Sequence, residues 1–441
     1  MQARGLCRAE SRGMFLGYLE ITGGIPLHGE IEVQGSKNAV LPILAACMLG
    51  EGTCTIENCP SIGDVDDTLE ILKLLGCRVE REGRTVCIDA SSAGKNEIES
   101  MEAARIRSSV LFLGALLGRM KRAVLPLPGG CAIGRRPIDI HIKALEKLGA
   151  CFVEDDKVVA TARQLLGDTV VLPFPSVGAT ENTILAAATA HGITWIKNAA
   201  REPEIDELCE FLNCRGADIE RTKNGDIRVC GVERLRGTTY RVKADRIVTG
   251  TYLLATAATG GEILITNDNG SCLRAFLQVL EKMGAGVIRS PRGGKQEGIR
   301  ISSPERLLGA GYLETAPYPG FPTDLQSPLM AVLCRASGKS CIREKIFENR
   351  FKTADELVKM GAEIEIDGDC ARISGVPQLY GAVLEAPDLR GGAALVLGAL
   401  QAKGCTKIGN IGYIDRGYEN IERDLRLLGA DIRRVDGNRD F

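Results

Sequence analysis

The chain has 441 residues, 44% of them hydrophobic, which is enough for two or three domains with large buried cores. Its 55 basic and 57 acidic side chains nearly cancel, and this balance argues against nucleic acid or an anionic membrane as a partner, because both attract a clear basic excess. Any site for an anion must therefore be a local cluster.

The cysteines and histidines show no metal-binding pattern. The chain has 16 cysteines and only 3 histidines, no CxxC occurs, and the closest cysteine pairs are Cys54 with Cys59 and Cys209 with Cys214. Most of these thiols are expected to be small buried side chains in a reducing compartment. No apolar run reaches the roughly 18 residues of a membrane span. We therefore expect a cytoplasmic protein without membrane insertion.

The first motif in chain order is GSKNA at 35–39, after the alternating run EIEVQ. It predicts a glycine turn that presents Lys37 and Asn38 where a helix begins. A helix N-terminus with a cation beside it suits a phosphate or a carboxylate. The alternative is a lysine on a solvated surface turn.

A phrase of ten residues recurs six times, and each copy predicts the end of an amphipathic helix, a glycine in the left-handed C-cap conformation and a strand. The copies lie at 71–80, 145–154, 211–220, 279–288, 357–366 and 425–434. Their central glycines are Gly76, Gly149, Gly216, Gly284, Gly361 and Gly429. Upstream of most copies, β-rich runs predict a second strand, at 52–58, 191–199, 260–268 and 338–346.

Six α/β units of about 70 residues each are too large for an open solenoid and favour compact closure. They divide into three and three, with a polar stretch from 221 to about 245 as the predicted boundary. Two similar domains leave a cleft between them, which is a usual place for a ligand.

The segment LPLPGGCAIGRRPIDIH at 125–141 places Cys131 among three glycines and three prolines, with Arg135 and Arg136 close behind. Glycines give mobility and prolines limit its extent, so the segment predicts a lid with a chemically useful thiol. Nearby cations also lower the pKa of a thiol. The alternative is an ordinary glycine-rich loop with an incidental cysteine.

FPTDLQ at 321–326 places Asp324 just past two prolines, where the backbone can hold a carboxylate in a fixed direction. The alternative is a helix N-cap aspartate. Cations in short motifs from both halves of the chain would form a site for a multiply anionic substrate pair if they converge. These are Lys37, Arg107, Arg136, Arg350, Arg390 and Arg416. Individually, each arginine could instead be a salt-bridged surface residue.

Eight motifs together carry a family resemblance. GSKNA, LPGGCAIGRRP, PSVGATEN, NAAREPEI, FPTDLQ, FENRF, DLRGGAA and IDRGYE follow one another over about residues 18–435. In these motifs and their order the chain resembles the enolpyruvyl transferases, and most closely the UDP-N-acetylglucosamine 1-carboxyvinyltransferase family. The resemblance implies an inside-out α/β barrel of two domains with three repeats each. It further implies one domain at 37–243, a second made of 18–36 plus 244–441, and a disordered extension at 1–17.

The resemblance also implies a reaction. The enolpyruvyl group of phosphoenolpyruvate would move to the 3-hydroxyl of UDP-N-acetylglucosamine with release of phosphate, for peptidoglycan synthesis and without a metal or organic cofactor. Cys131 would donate a proton and be alkylated by fosfomycin, and Lys37, Asp324 and Arg416 would complete the catalytic set. Implied substrate contacts are Asn38, Arg107, Arg136, Pro137, Ile138, Asp139, Ile140, Ser176, Val177, Gly178, Ile346 and Arg390. Val248 departs from the family pattern, which has an acidic residue there.

Two other readings remain open from the sequence. The related transferase of the shikimate pathway shares the fold, but it lacks a PGGC lid and carries a GNAGT-type motif that is absent here. A ring-shaped clamp or a catalytically silent paralogue would also fit six repeats. The net charge of −2 opposes a clamp on DNA. A silent paralogue should have lost Lys37, Cys131 or Asp324, and all three are present.

Overall fold

The fold is built from small sheets and the helices that pack against them. A computed structural model describes residues 17–98, 107–126, 138–290 and 298–436, and the strands in these ranges form six sheets. Three sheets, with strands in spatial order, are Thr239–Arg241, Thr53–Glu57, Thr85–Asp89, Arg78–Glu82; Arg122–Pro126, Lys157–Thr161, Cys151–Glu154; and Asp218–Arg221, Ile227–Cys230, Ile193–Lys197, Thr169–Val171. The other three are Gly286–Arg289, Ile299–Ser302, Glu262–Ile265, His28–Ile31; Gly311–Glu314, Lys339–Arg343, Cys370–Ser374, Glu363–Asp367; and Val383–Glu385, Cys405–Gly409, Tyr18–Thr22, Asp431–Val435.

The helices alternate with these strands along the chain. The α-helices are Lys37–Ala46, Gly63–Leu74, Phe112–Met120, Asp139–Lys147, Val177–Ala187, Pro203–Cys214, Arg246–Thr259, Arg274–Lys282, Gln326–Leu333, Thr353–Lys359, Leu389–Leu400, Gly412–Asp415 and Ile421–Leu427. Short 3-10 turns are Arg107–Leu111, Ser271–Leu273 and Thr323–Leu325.

Helices lie inside and sheets outside. The helix Leu389–Leu400 is buried along its length except at its first residue, and Gln326–Leu333 is buried throughout. In contrast, the strand Ile193–Lys197 alternates exposed and buried residues, as expected of a sheet with one solvated face. Apolar helices therefore form the interior, and the sheets cover it.

The sixfold repeat is confirmed. All six central glycines have φ between 92° and 100°, which is the left-handed region that a side chain with a Cβ rarely adopts. Each follows the end of a helix and precedes a strand by two residues or fewer. The glycine thus ends each helix and turns the chain into the next strand.

Two hydrophobic cores divide the molecule. One collects buried residues between 39 and 242, and the other those between 19 and 33 together with those between 247 and 432. The chain passes between the cores twice, side by side: the Ser36 amide donates to the Lys243 carbonyl (2.8 Å), and the Asp245 amide donates to the Gln34 carbonyl (2.9 Å). We propose domain limits of 37–243 and of 18–36 plus 244–441, called the first and second domain below.

The strand pairing closes each domain. The late strand Thr239–Arg241 pairs in parallel with Thr53–Glu57 and joins the end of the first domain to its beginning. The first strand, Tyr18–Thr22, lies between Cys405–Gly409 and Asp431–Val435 in the last sheet. The polar stretch 221–227 spans the turn of a hairpin and the strand residue on each side of it, so the stretch lies within the first domain and not at its boundary. No described helix has the length and apolar character to cross a membrane.

Candidate active site

Lys37 is the first residue of a buried helix. Ser36 caps this helix with its hydroxyl, which accepts a hydrogen bond from the Ala39 amide (3.4 Å), and the Lys37 amide donates to Asp245 Oδ2 (3.0 Å). Only 8% of Lys37 is exposed, and its Nζ lies 2.6 Å from Asp64 Oδ2. Lys37 therefore starts a helix as predicted, and the alternative of a solvated surface lysine is wrong.

Asp64 links Lys37 to the second domain. It lies in the first turn of the helix Gly63–Leu74, and its Oδ1 is 2.8 Å from Nε of Arg416. The Asp64 side chain is 7% exposed, whereas that of Arg416 is 42% exposed. This role could not be predicted from the sequence, because an acidic residue in the first turn of a helix is ordinary.

Burial and charge set the pKa values of this trio. Burial acts most strongly to raise the pKa of the Asp64 carboxyl, but the charges and hydrogen bonds of Lys37 and Arg416 together outweigh it and hold the pKa below its usual value. Burial lowers the pKa of Lys37, Asp64 opposes this, and the charges of Arg390 and Arg416 lower it further. The lysine thus keeps its proton with less margin than an exposed lysine.

Asp324 lies between two buried arginines. It is in the 3-10 turn Thr323–Leu325, directly before the helix Gln326–Leu333. Its Oδ1 is 2.6 Å from Arg350 Nη2, and its Oδ2 is 3.2 Å from Arg390 Nη2. Both arginines are 3% exposed. Two charge-assisted hydrogen bonds therefore fix the direction of the carboxylate.

The ion pairs of Asp64 and those of Asp324 lie next to each other. Burial is the main cause that lowers the pKa of Lys37, and the charge of Arg390 from the Asp324 group adds to it. Arg390 also donates to Tyr418 Oη (3.3 Å), which is 2.9 Å from Thr251 Oγ1. Four of the six predicted cations therefore converge: Lys37, Arg350, Arg390 and Arg416. We call these four with Asp64 and Asp324 the ion-pair cluster.

The predicted nucleotide contacts lie at the starts of two packed helices. Ile138 precedes the helix that begins with Asp139 and Ile140, and Ser176 caps the helix that begins with Val177 and Gly178. His141 Nδ1 lies 2.9 Å from Asn182 Nδ2, and a Cβ at Gly178 would lie 2.9 Å from His141 Cε1. Close packing at Gly178 therefore brings together two helix N-termini, which favour anions.

Three further predicted contacts lie near the cluster or at helix starts. Asn38 is half-buried at the second position of the Lys37 helix. Ile346 is half-buried, and its amide donates to Glu344 Oε1 (2.8 Å). Arg107 begins a 3-10 turn, but its side chain is outside the described part of the structure. Cys131, Arg136 and Pro137 lie outside the described residues altogether.

Glu344 is a second residue that sequence reasoning missed. This carboxylate is 4% exposed and accepts hydrogen bonds from the hydroxyls of Thr315 and Thr323, both at 2.9 Å, and from the amides of Ile346 and Phe347. It thereby ties the Asp324 turn to the segment that leads to Arg350. No motif marks it, because its partners are mostly backbone amides and distant threonines.

Arg246 makes a further contact between the domains. It donates to Glu204 Oε1 at 2.8 Å and to Oε2 at 3.3 Å, with both side chains nearly buried. Val248, where an acidic residue was expected, is fully buried in the second core, and its amide donates to Asp245 Oδ1 (3.1 Å). The contact between the domains at this point is thus made by Arg246 and Glu204.

Comparison with curated proteins supports the family resemblance. The profile of a family described as EPSP synthase (3-phosphoshikimate 1-carboxyvinyltransferase) matches residues 21–425. The UDP-N-acetylglucosamine 1-carboxyvinyltransferase 2 of Caldanaerobacter subterraneus is 44% identical over 95% of this chain and 100% of its own length. The UDP-N-acetylglucosamine 1-carboxyvinyltransferase of Clostridium botulinum is 45% identical over 95% of this chain and 99% of its own.

Solved structures agree. The enolpyruvyl transferase NikO from Streptomyces tendae has a TM-score of 0.85 and 26% identity, with 96% of this chain and 100% of that chain covered. An EPSP synthase from Acinetobacter baumannii has a TM-score of 0.73 at 20% identity, over 95% of this chain and 100% of that chain. At this identity, the similarity supports only the fold. The predicted two-domain inside-out α/β fold is confirmed. The chain belongs to the EPSP synthase family of enolpyruvyl transferases, and within it to the UDP-N-acetylglucosamine 1-carboxyvinyltransferases.

Proposed function

We propose that this chain transfers the enolpyruvyl group of phosphoenolpyruvate to the 3-hydroxyl of UDP-N-acetylglucosamine and releases phosphate, as a step of peptidoglycan precursor synthesis. The names of its relatives support the substrates. The observation that carries the proposal is the ion-pair cluster, in which four cations from two domains surround two carboxylates. Such a cluster suits a small substrate with both a carboxylate and a phosphate.

Lys37, Arg390 and Arg416 bind phosphoenolpyruvate in this proposal. Without substrate, Asp64 and Asp324 neutralise part of the charge of these cations. When phosphoenolpyruvate binds, its carboxylate and phosphate neutralise part of that charge instead. Arg416 has the most exposed side chain of the cluster and can turn toward a ligand at the smallest cost in burial. The same cations stabilise the charge on phosphate as it leaves.

Asp324 aligns the attacking hydroxyl. Its bond to Arg350 is 2.6 Å long and its bond to Arg390 is 3.2 Å long. The longer bond, from Arg390 to Oδ2, breaks more easily. Oδ2 can then accept a hydrogen bond from the 3-hydroxyl of the sugar while Arg350 holds Oδ1. Addition of the alcohol requires one proton on the methylene carbon of phosphoenolpyruvate and removal of another from the hydroxyl. Asp324 takes the second proton late in the reaction.

Cys131 supplies the proton to carbon from the lid and is the residue that fosfomycin alkylates, in this proposal. The lid also excludes water, which would otherwise trap the cationic transition state. Asn38, Arg107 and Ile346 add substrate contacts. The nucleotide lies against Arg136, Pro137 and the helix starts 138–140 and 176–178. We place the reaction in the cytoplasm and expect no nucleic acid partner.

The test is phosphate release from phosphoenolpyruvate with UDP-N-acetylglucosamine, with shikimate 3-phosphate, or with no acceptor. We expect release with UDP-N-acetylglucosamine only, and no effect of a chelator. A Lys37→Met variant should lose the activity, which excludes a contaminating enzyme as its source. Release with shikimate 3-phosphate in place of the nucleotide sugar would assign the chain to the shikimate branch and reject the proposal.

A further inference from the structure

Glu344 lies where two neighbouring strands of one sheet end. The strands Gly311–Glu314 and Lys339–Arg343 pair in parallel, and Glu344 directly follows the second of them. Parallel strands end at the same edge of a sheet, so the two segments that leave them begin side by side. One segment leads to Asp324 and the other leads to Arg350, the arginine that lies 2.6 Å from the Asp324 carboxylate.

Each carboxylate oxygen of Glu344 holds one side of the Asp324–Arg350 ion pair. Oε2 accepts a hydrogen bond from the hydroxyl of Thr323 (2.9 Å), which directly precedes Asp324. Oε1 accepts one from the Phe347 amide (3.2 Å), and the guanidinium carbon of Arg350 lies 5.6 Å from the centre of the Phe347 ring. One buried side chain therefore fixes both the turn that carries the carboxylate and the ring that supports the arginine.

The Glu344 side chain is itself held in place. Only 4% of the residue is exposed, and Oε1 also accepts hydrogen bonds from the Thr315 hydroxyl (2.9 Å) and the Ile346 amide (2.8 Å). A buried carboxylate costs free energy unless hydrogen bonds replace its water, and four donors do so here. Three of these donors fix Oε1, so the fourth, the Thr323 hydroxyl, meets an acceptor whose position is fixed.

We propose that Glu344 is a positioning residue for the transfer reaction, and that it sets the direction in which Asp324 presents Oδ2 to the sugar hydroxyl. This role rests on the proposed function, in which Asp324 is the group that touches the hydroxyl. Glu344 acts on it through Thr323 and through the ring that lies against Arg350. A misplacement of about 1 Å can cost about 10²-fold in rate, so loss of these contacts lowers turnover more than substrate binding.

Two threonine variants separate positioning from packing. Thr323→Val keeps the size of the side chain and removes the hydroxyl that bonds Oε2 of Glu344. Thr315→Val is the matched control, because it removes a hydroxyl from the same carboxylate, and the other hydrogen bond of that hydroxyl comes from the Lys345 amide (2.9 Å) and not from the turn Thr323–Leu325. In phosphate release, kcat should fall about tenfold in Thr323→Val with KM for both substrates changed less than about twofold, whereas Thr315→Val should keep both constants within about twofold.

Rescue and a double-mutant cycle test whether the effect passes through Asp324. Thr323→Ser restores the hydroxyl and should bring kcat back to within about twofold of the parent. In the Asp324→Asn background, Thr323→Val should lower kcat by less than about twofold, because a residue that acts through a carboxylate has no further effect once that carboxylate is gone. Glu344→Ala removes all the contacts at once and should lower kcat by about 10–100-fold. If this last variant does not fold, the threonine variants still decide.

Three outcomes would overturn the positioning role of Glu344. They are a normal kcat in Thr323→Val, an equal fall of kcat in Thr323→Val and Thr315→Val, and an undiminished effect of Thr323→Val in the Asp324→Asn background. Each of these is measured against a parent that releases phosphate only with UDP-N-acetylglucosamine, so each rejects the positioning role and leaves the proposed function standing. A parent without that release would reject the proposed function itself, and the positioning role with it.

Discussion

Replacing Asp64 by Asn is expected to move the alkaline limb of the pH–rate profile toward acid. Lys37 must carry its proton to bind the phosphate group, and Asp64 is the neighbour that keeps it charged against burial, Arg390 and Arg416. Two unit charges 2.6 Å apart attract each other by about 6 kcal/mol at an effective dielectric constant of about 20. Removal of one partner from a buried pair typically costs about 3–5 kcal/mol. Without the attraction of Asp64, burial and the two arginines should push the pKa of Lys37 further below its usual value, so the alkaline limb should move toward neutral pH.

The sign follows from the charge of lysine. A lower pKa means that Lys37 loses its proton, and with it the substrate phosphate, at a lower pH. The assay is kcat/KM for phosphoenolpyruvate from phosphate release, measured from the acid to the alkaline side of neutrality. Asp66→Asn is the matched control, because Asp66 lies on the same helix and pairs with Arg81 at 2.8 Å with 65% of its own side chain exposed. Superimposed alkaline limbs for the Asp64→Asn variant and the parent would show that Asp64 does not keep Lys37 charged.

Four further outcomes are expected. Asp324→Asn should still bind both substrates while turnover falls by about 10²–10⁴, the usual contribution of general acid–base catalysis, and near-normal turnover would demote Asp324 to a structural residue. Cys131→Asp keeps an acidic side chain and should retain turnover, but fosfomycin should not inhibit it, because the thiol that fosfomycin alkylates is gone. Cys131→Ser should be nearly inactive. Inhibition of Cys131→Asp by fosfomycin would contradict this expectation. Burial raises the pKa of Glu207 from 4.5 to about 7, so the protonated side chain stabilises the fold at low pH and this stability is lost as the pH rises through that range. In urea unfolding, the free energy of unfolding should fall between about pH 5 and about pH 8, and in Glu207→Gln this fall should be smaller by about 3 kcal/mol. An equal fall in the variant and the parent would exclude Glu207 as its source. Saturating UDP-N-acetylglucosamine should lower the radius of gyration in small-angle scattering, because cations from both domains favour closure of the two domains on a bridging ligand. An unchanged radius would count against domain closure.

The repeat could be predicted because its signals are local. Gly76 and its five equivalents follow amphipathic runs and precede alternating ones, and a left-handed glycine between a helix and a strand needs no distant contact to be recognised. The sequence therefore predicted six mixed α/β units, and the family resemblance added their inside-out arrangement. The path of the chain between the domains came from the family resemblance and not from the residues alone, because the adjacent crossings at 34–36 and 243–245 depend on backbone hydrogen bonds between residues far apart in sequence.

The candidate site was predictable only in part. Lys37, Asp324, Arg390 and Arg416 belong to motifs, but nothing in the motifs showed that they converge. Asp64 is 352 residues from Arg416 and looks like any acidic residue at a helix start. Glu344 holds two loops together through threonine hydroxyls and amides, a pattern that leaves no mark in sequence. Contacts of this kind depend on packing that a single sequence does not reveal.

The structure of the product tests the proposed transfer reaction most directly. Phosphoenolpyruvate labelled with ¹³C in the enol carbons is incubated with UDP-N-acetylglucosamine and the purified protein, and the nucleotide product is analysed by NMR and mass spectrometry. We predict a vinyl ether with the labelled carbon coupled to the proton at position 3 of the sugar, and an equal amount of free phosphate. A product without the vinyl ether, or one linked through another hydroxyl, would contradict it.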